Sequence, residues 1–309
     1  MRLHPEAQAL LEQFESLGDP PIESSTPEAV RALRASRIPA PTVELPEIRD
    51  VDAGGVPARL YRPSAQDGLG LLVYLHGGGW VLGSVETHDH VARALAAQSG
   101  CAVLSLDYRL APEHPFPAGL DDAFAATGWT YEHAEALGCD PERLAIGGDS
   151  AGANLAAVVT QSARVPFGFQ LLVYPVTDAR GESASMTELA DRFWLRKAEM
   201  AWFLRHYFSG GDGAPDDPHV SPLLAEAAAF EASPPTLVIT AELDPLRDEG
   251  EAYAERLRAA GVGADVTRYE GMFHGFFSFA EQLSDGRRAL AQAAESVGAA
   301  LSLEASSRE

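Results

Sequence analysis

The chain has 309 residues, 23 of them basic against 45 acidic, giving a formal charge of −22 with Lys197 as the only lysine. A surface so acidic repels nucleic acid and anionic membranes, which excludes both as expected partners. A hydrophobic content of 46% with 22% charged residues suits a globular chain that buries a large core in one α/β domain with a subdomain.

In chain order, Met1 to Phe14 reads as an amphipathic helix carrying Glu6 and Glu12. It lacks the continuous apolar stretch of a secretory signal, and no run elsewhere reaches membrane-spanning length, so a cytoplasmic protein is expected. A break at Asp19, Pro20 and Pro21 precedes a second helix from Thr26 to Ser36, with Thr26 as N-cap and Pro27 at the first helical position. Thr42 to Arg62 reads as strands around a turn at Asp52 to Gly55.

Strands are then expected at Leu71–Leu75, Ala102–Leu106, Arg143–Ile146, Leu171–Tyr174, Thr236–Thr240 and Ala264–Arg268. They alternate with helices at Thr87–Gln98, Leu120–Ala136, Ala151–Ser162, Asp248–Ala260 and Asp285–Leu301. Continuous apolar strands separated by helices call for a mostly parallel sheet covered on both faces. The alternation fails between 179 and 231, where no strand is evident and Met200, Phe203, Leu204, Tyr207 and Phe208 recur at helical spacing. That stretch reads as an inserted subdomain, dividing the chain into 1–40, 41–178, 179–231 and 232–309. Cys101 and Cys139 are too few for a disulfide framework and read as buried free thiols.

The chemistry centres on Gly148, Asp149, Ser150, Ala151 and Gly152, placed where an expected strand ends and a helix begins. A serine in such a G-x-S-x-G turn sits on a strained bend with its hydroxyl exposed above the sheet edge. An activated serine also needs a base, an acid to orient that base, and donors for the oxyanion. The glycines of His76, Gly77, Gly78, Gly79 and Trp80 let two backbone N–H groups point at one spot, and the N–H of Ala151 adds a third. Each such donor contributes roughly 2.7–4 kcal/mol to transition-state stabilisation.

Of nine histidines, His274 follows the strand Ala264–Arg268 and so lies at the same sheet edge as Ser150. His76 belongs to the glycine loop and reads as structural, and His88 with His90 forms a pair with no third metal ligand nearby, so no metal is expected. Glu242, Asp244 and Asp248 follow the strand Thr236–Thr240. Asp244 is placed in a loop over the edge, and Asp248 as a cap of the next helix. The order Ser150, Asp244, His274 is that of an α/β-hydrolase triad.

Together these segments, with Asp107 to Ala118 and Asp244 to Gly250, resemble the hormone-sensitive lipase family of bacterial esterases, in the branch with the Gly-Asp-Ser-Ala-Gly turn. The resemblance implies an α/β-hydrolase fold with a helical cap made of the N-terminal helices and residues 179–231. It implies Ser150 as nucleophile, Asp244 as acid, His274 as base, and the amides of Gly78, Gly79 and Ala151 as oxyanion hole. The expected activity is hydrolysis of a small-molecule carboxylic ester through an acyl-enzyme, without cofactor. Trp80, Phe193, Trp194, Phe203 and Tyr207 are the expected substrate contacts, with Phe193 to Phe208 gathered near one another. Amide, lactone or peptide hydrolysis on the same triad stays open; a non-catalytic receptor is disfavoured because His274 stands in its full motif. A homodimer through an edge strand at Ala264–Arg268 is also expected.

Overall fold

A computed structural model describes residues 2–38, 41–162 and 164–302; the domain boundary expected at residue 40 lies outside them. The strands are β1 (Glu47–Asp52), β2 (Pro57–Arg62), β3 (Leu69–Leu75), β4 (Ala102–Leu106), β5 (Cys139–Asp149), β6 (Phe169–Val173), β7 (Thr236–Leu243) and β8 (Ala264–Phe273). They form one sheet in the order β1-β2-β4-β3-β5-β6-β7-β8. The β1–β2 and β2–β4 pairs are antiparallel, and every later pair is parallel. The chain therefore leaves β3, β5, β6, β7 and β8 at one common edge.

The helices are α1 (Pro5–Ser16), α2 (Pro27–Ala35), α3 (Asp89–Ser99), α4 (Ala118–His133), α5 (Ala151–Gln161), α6 (Ala184–Glu188), α7 (Lys197–Tyr207), α8 (Ala227–Glu231), α9 (Arg247–Ala259) and α10 (Ser284–Ala300). Alternation along β3 separates the two faces of the sheet. Leu71, Val73 and Leu75 pack in one cluster with Leu120 of α4, Leu155 of α5 and Leu257 of α9. Leu72 and Tyr74 pack in the other with Leu11 of α1, Leu95 of α3 and Leu290 of α10. Among the described residues, no helix is long and apolar enough to cross a membrane.

Several strands outrun their sequence signal. β5 starts at Cys139 through its pairing with Leu69, although Asp140, Pro141 and Glu142 read as strand breakers. β7 and β8 extend to a joint end at Leu243 and Phe273, which pair with each other. α3 starts at Asp89 rather than Thr87, because Ser84 and Thr87 close a turn in which each side-chain oxygen accepts the other's amide, at 2.9 and 3.2 Å. The insertion between β6 and β7 carries three helices, α6 to α8, where one was expected, and no strand.

The packing makes a direct prediction. Leu72→Ala, on a strand residue with no exposed surface, should cost about 2–5 kcal/mol in chemical denaturation. Leu17→Ala, at a residue 48% exposed, should stay within about 0.5 kcal/mol. Equal losses at the two positions would contradict the core assignment.

Candidate active site

β5 ends at Asp149 and α5 begins at Ala151, so Ser150 makes the turn alone, with φ 54° and ψ −116°. A non-glycine residue there is strained and persists only where its surroundings fix it. Ser150 N–H donates to the Val173 carbonyl at 2.9 Å, and the Ser150 carbonyl accepts Val176 N–H at 3.4 Å. The flanking glycines meet a steric limit: a Cβ on either Gly148 or Gly152 would overlap the Leu75 carbonyl oxygen. Asn154, one turn into α5, donates to the Val176 and Val220 carbonyls at 2.9 and 2.7 Å and ties the elbow to the insertion.

Asp244 and His274 come directly after β7 and β8, respectively. The expected strand end at Thr240 is thereby corrected: β7 continues to Leu243, and Asp244 opens the loop beyond it. His274 Nδ1 lies 2.7 Å from Asp244 Oδ2, and His274 Nε2 lies 3.0 Å from Ser150 Oγ. Ser150, His274 and Asp244 are 9%, 8% and 0% exposed, so the chain of hydrogen bonds runs in a site screened from bulk water. A carboxylate only accepts, so Nδ1 carries a hydrogen and Nε2 is left to accept the serine proton. The other oxygen of Asp244 accepts Leu246 N–H at 2.9 Å, and the Tyr174 ring packs 4.5 Å from the imidazole.

The two carboxylates weighed beside Asp244 go elsewhere. Glu242 accepts Gly271 N–H at 2.7 Å, fixing the bend before His274. Asp248 is no helix cap: α9 begins at Arg247, and Asp248 instead accepts Ser185 N–H of α6 at 2.8 Å. The reason is tertiary, since the insertion brings a free helix terminus within its reach.

The glycine loop follows β3, with φ 125° at Gly78, 61° at Gly79 and 59° at Trp80. Side chains are excluded there: a Cβ on Gly78 would overlap the Leu82 carbonyl, and one on Gly79 the Phe203 ring. Trp80 stacks on Tyr207 with centroids 4.4 Å apart and an interplanar angle of 7°. Phe203 and Tyr207 are one turn apart on α7, so this helix seats two rings on consecutive loop residues. The expected single aromatic group is not formed. Phe193 and Trp194 precede α7 and turn to the opposite cluster, where Trp194 lies 4.8 Å from Phe14 and 6.2 Å from Phe273.

His88 and His90 also diverge. His90 Nε2 donates to the Ser278 carbonyl at 2.8 Å, whereas His88 Nε2 lies 3.5 Å from Asp149 Oδ1. His76 is buried, stacked 4.4 Å from Tyr108, with burial pushing its pKa down to about 3. No cluster of His, Cys, Asp or Glu among the described residues is arranged to hold a metal ion.

Three contributors to the site's framework escape a reading by residue type. Asp149 accepts Gly77 N–H at 2.9 Å; it stood in the motif, but nothing in the sequence showed its partner. Arg31 of α2 donates to the Val81 and Ala111 carbonyls, both at 2.7 Å, and resembles any exposed helical arginine. Glu249 accepts Thr177 and Asp178 amides at 2.8 and 3.1 Å, and burial pushes its carboxyl well above the usual range.

Comparison with known proteins matches residues 72–278 to a family described as having the alpha/beta hydrolase fold. The chain is 47% identical over 235 residues to the carboxylic ester hydrolase LipN of Mycobacterium tuberculosis, covering 73% of this chain and 62% of LipN. It is 42% identical over 292 residues to the carboxylesterase NlhH of the same species, covering 90% of each. The solved structure of an ester hydrolase from the Lake Arreo metagenome, complexed with a bipyridine phosphonate derivative, superposes with a TM-score of 0.90. That match is 43% identical and covers 96% of this chain and 98% of the other.

The hydrogen-bond chain predicts a reactive serine, measurable without any substrate. A fluorophosphonate should label Ser150, and Asp244→Asn should slow labelling roughly 10³–10⁴-fold by misorienting the imidazole. Glu242→Gln and Asp248→Asn should label within a few-fold of the unsubstituted protein. A loss in Glu242→Gln equal to that in Asp244→Asn would move the acid to Glu242.

Proposed function

The chain belongs to the alpha/beta hydrolase family, and we propose that it is a serine carboxylesterase acting on short- to medium-chain esters. The observation that carries this reading is the pair of contacts from Ser150 to His274 at 3.0 Å and from His274 to Asp244 at 2.7 Å. The named esterases among its relatives support the same reaction class.

In the proposed reaction His274 takes the Ser150 proton as Oγ attacks the ester carbonyl. The amides of Gly78, Gly79 and Ala151 receive the oxyanion, and Asp244 stabilises the imidazolium. The tetrahedral intermediate collapses as His274 returns the proton to the alcohol, which leaves. Water, deprotonated by His274, then attacks the acyl-enzyme, and the proton returns to Ser150 as the acid departs. The positive φ of Gly78 and Gly79 and the lack of room for a Cβ at either position support the assignment of the loop.

The cap of the proposal consists of the N-terminal helices and residues 179–231. Its supports are the Arg31 contacts to the Val81 carbonyl, just after the glycine loop, and to the Ala111 carbonyl, and a 3.0 Å ion pair between Arg196 and Glu23. Phe203 and Tyr207, with Trp80, then wall the acyl side, while Phe193 and Trp194 pack against the opposite core cluster. A homodimer remains part of the proposal, with β8 at the sheet edge as the pairing strand.

Two measurements test the reading. Ser150→Ala should abolish ester hydrolysis while leaving the fold intact, and more than a few per cent of the original kcat would refute it. On p-nitrophenyl esters, kcat/KM should rise from acetyl toward butyryl or hexanoyl, since each buried CH₂ contributes up to about 0.8 kcal/mol. It should then fall, with palmitoyl a poor substrate. Equal kcat/KM for palmitoyl and butyryl esters would overturn the size limit, and faster turnover of aryl amides would make the protein an amidase.

A further inference from the structure

Directly beneath the glycine loop lies an ionisable cluster that the proposed reaction does not use. Asp149 is 5% exposed, and its Oδ1 accepts the Tyr74 hydroxyl at 2.7 Å and Gly77 N–H at 2.9 Å, with His88 Nε2 at 3.5 Å. Burial drives this carboxyl upward, but the neighbouring His88 and the Tyr74 hydrogen bond outweigh burial and hold it below the usual carboxylate range. An uncompensated anion here, one residue before Ser150 and bonded to the loop, would oppose negative charge forming on a substrate carbonyl.

The groups around the pair narrow the source of compensation. Tyr74, Tyr108 and Tyr174 face Asp149 and stay neutral, because burial pushes each phenol well above its ordinary pKa. His76, whose ring lies 5.4 Å from that of His88, is neutral through burial. His90 is two residues along, bonded to Ser278, and Asp89 is turned to Arg93 and Tyr61.

Hydrogen counting then fixes His88. The Thr87 hydroxyl has a single hydrogen, and its Oγ1 lies 3.0 Å from the Ser84 carbonyl, which can only accept. Oγ1 itself accepts Ser84 N–H at 2.9 Å, so its contact with His88 Nδ1, also 2.9 Å, takes a hydrogen from the ring. Nε2 lies 3.5 Å from the Asp149 carboxylate, within ion-pair reach of a charged ring.

We propose that His88 is an imidazolium whose charge cancels that of Asp149, a positioning residue that keeps the glycine loop fit to receive an oxyanion. The inference rests on the ester-hydrolysis reading for its consequence, though not for the charge itself. Nitrogen-15 NMR of histidine-labelled protein at neutral pH should show a doubly protonated ring signal that vanishes in His88→Gln. A neutral ring at this position would overturn the proposal.

Kinetics test the consequence. His88→Gln keeps a donor without the charge and should lower kcat roughly 10-fold at unchanged KM, weakening binding of a phosphonate transition-state mimic in parallel. Adding Asp149→Asn, which removes the anion, should recover part of that loss. Losses in the double variant that simply multiply would mean a merely structural His88 and refute the electrostatic role. Absence of any ester turnover by the unsubstituted protein would instead fail the esterase reading, leaving the NMR result standing.

Discussion

Contact between α5 and the end of β3 is the constraint from which the rest of the site follows. Gly148 and Gly152 both lie so close to the Leu75 carbonyl that a single methyl group on either would overlap it. That closeness lets a strand turn into a helix across one residue, and it puts Ser150 at a positive φ that its side chain disfavours. The strain persists because Val173 and Val176, from the neighbouring strand end, bond both sides of the Ser150 peptide. Backbone, not side-chain chemistry, thus presents the hydroxyl.

Parallel pairing does the remaining gathering. Strands β3, β5, β6, β7 and β8 all end at one edge, so loops distant in sequence meet there without any long excursion. The joint extension of β7 and β8 matters most: Leu243 pairs with Phe273, so the residues that follow, Asp244 and His274, emerge side by side. Their 2.7 Å contact is then a product of strand register. Glu242 holds the Gly271 bend before His274, and Glu249 holds the loop after β6.

The insertion is attached to the loop most sensitive to geometry. Phe203 and Tyr207 sit on Gly79 and Trp80, and Arg31 of α2 bonds the carbonyls of Val81 and Ala111. Changes in the insertion are therefore transmitted to the glycine loop by direct contact. Asp149 meets the same loop from below through Gly77. The loop is held from above by aromatic packing and from beneath by a buried polar cluster, two kinds of force with different sensitivity to charge.

Local sequence was sufficient for whatever depends on neighbours along the chain. The apolar runs of β3, β4 and β6, the Thr26 cap with its proline, and the glycine spacing around Ser150 each express a local steric or burial rule, and each marks its element. The order Ser150, Asp244, His274 was also readable, because parallel strands export their loops to one edge whatever their partners. Local sequence failed where a partner decides. Strand ends at Asp149, Leu243 and Phe273 are set by ladder pairing, which periodicity within one strand does not encode. Asp248 looked like a helix cap until the insertion offered it the Ser185 amide. Phe193 and Trp194 read as companions of Phe203, but spacing outside a helix carries no direction, and only the tertiary structure turned them to the opposite core.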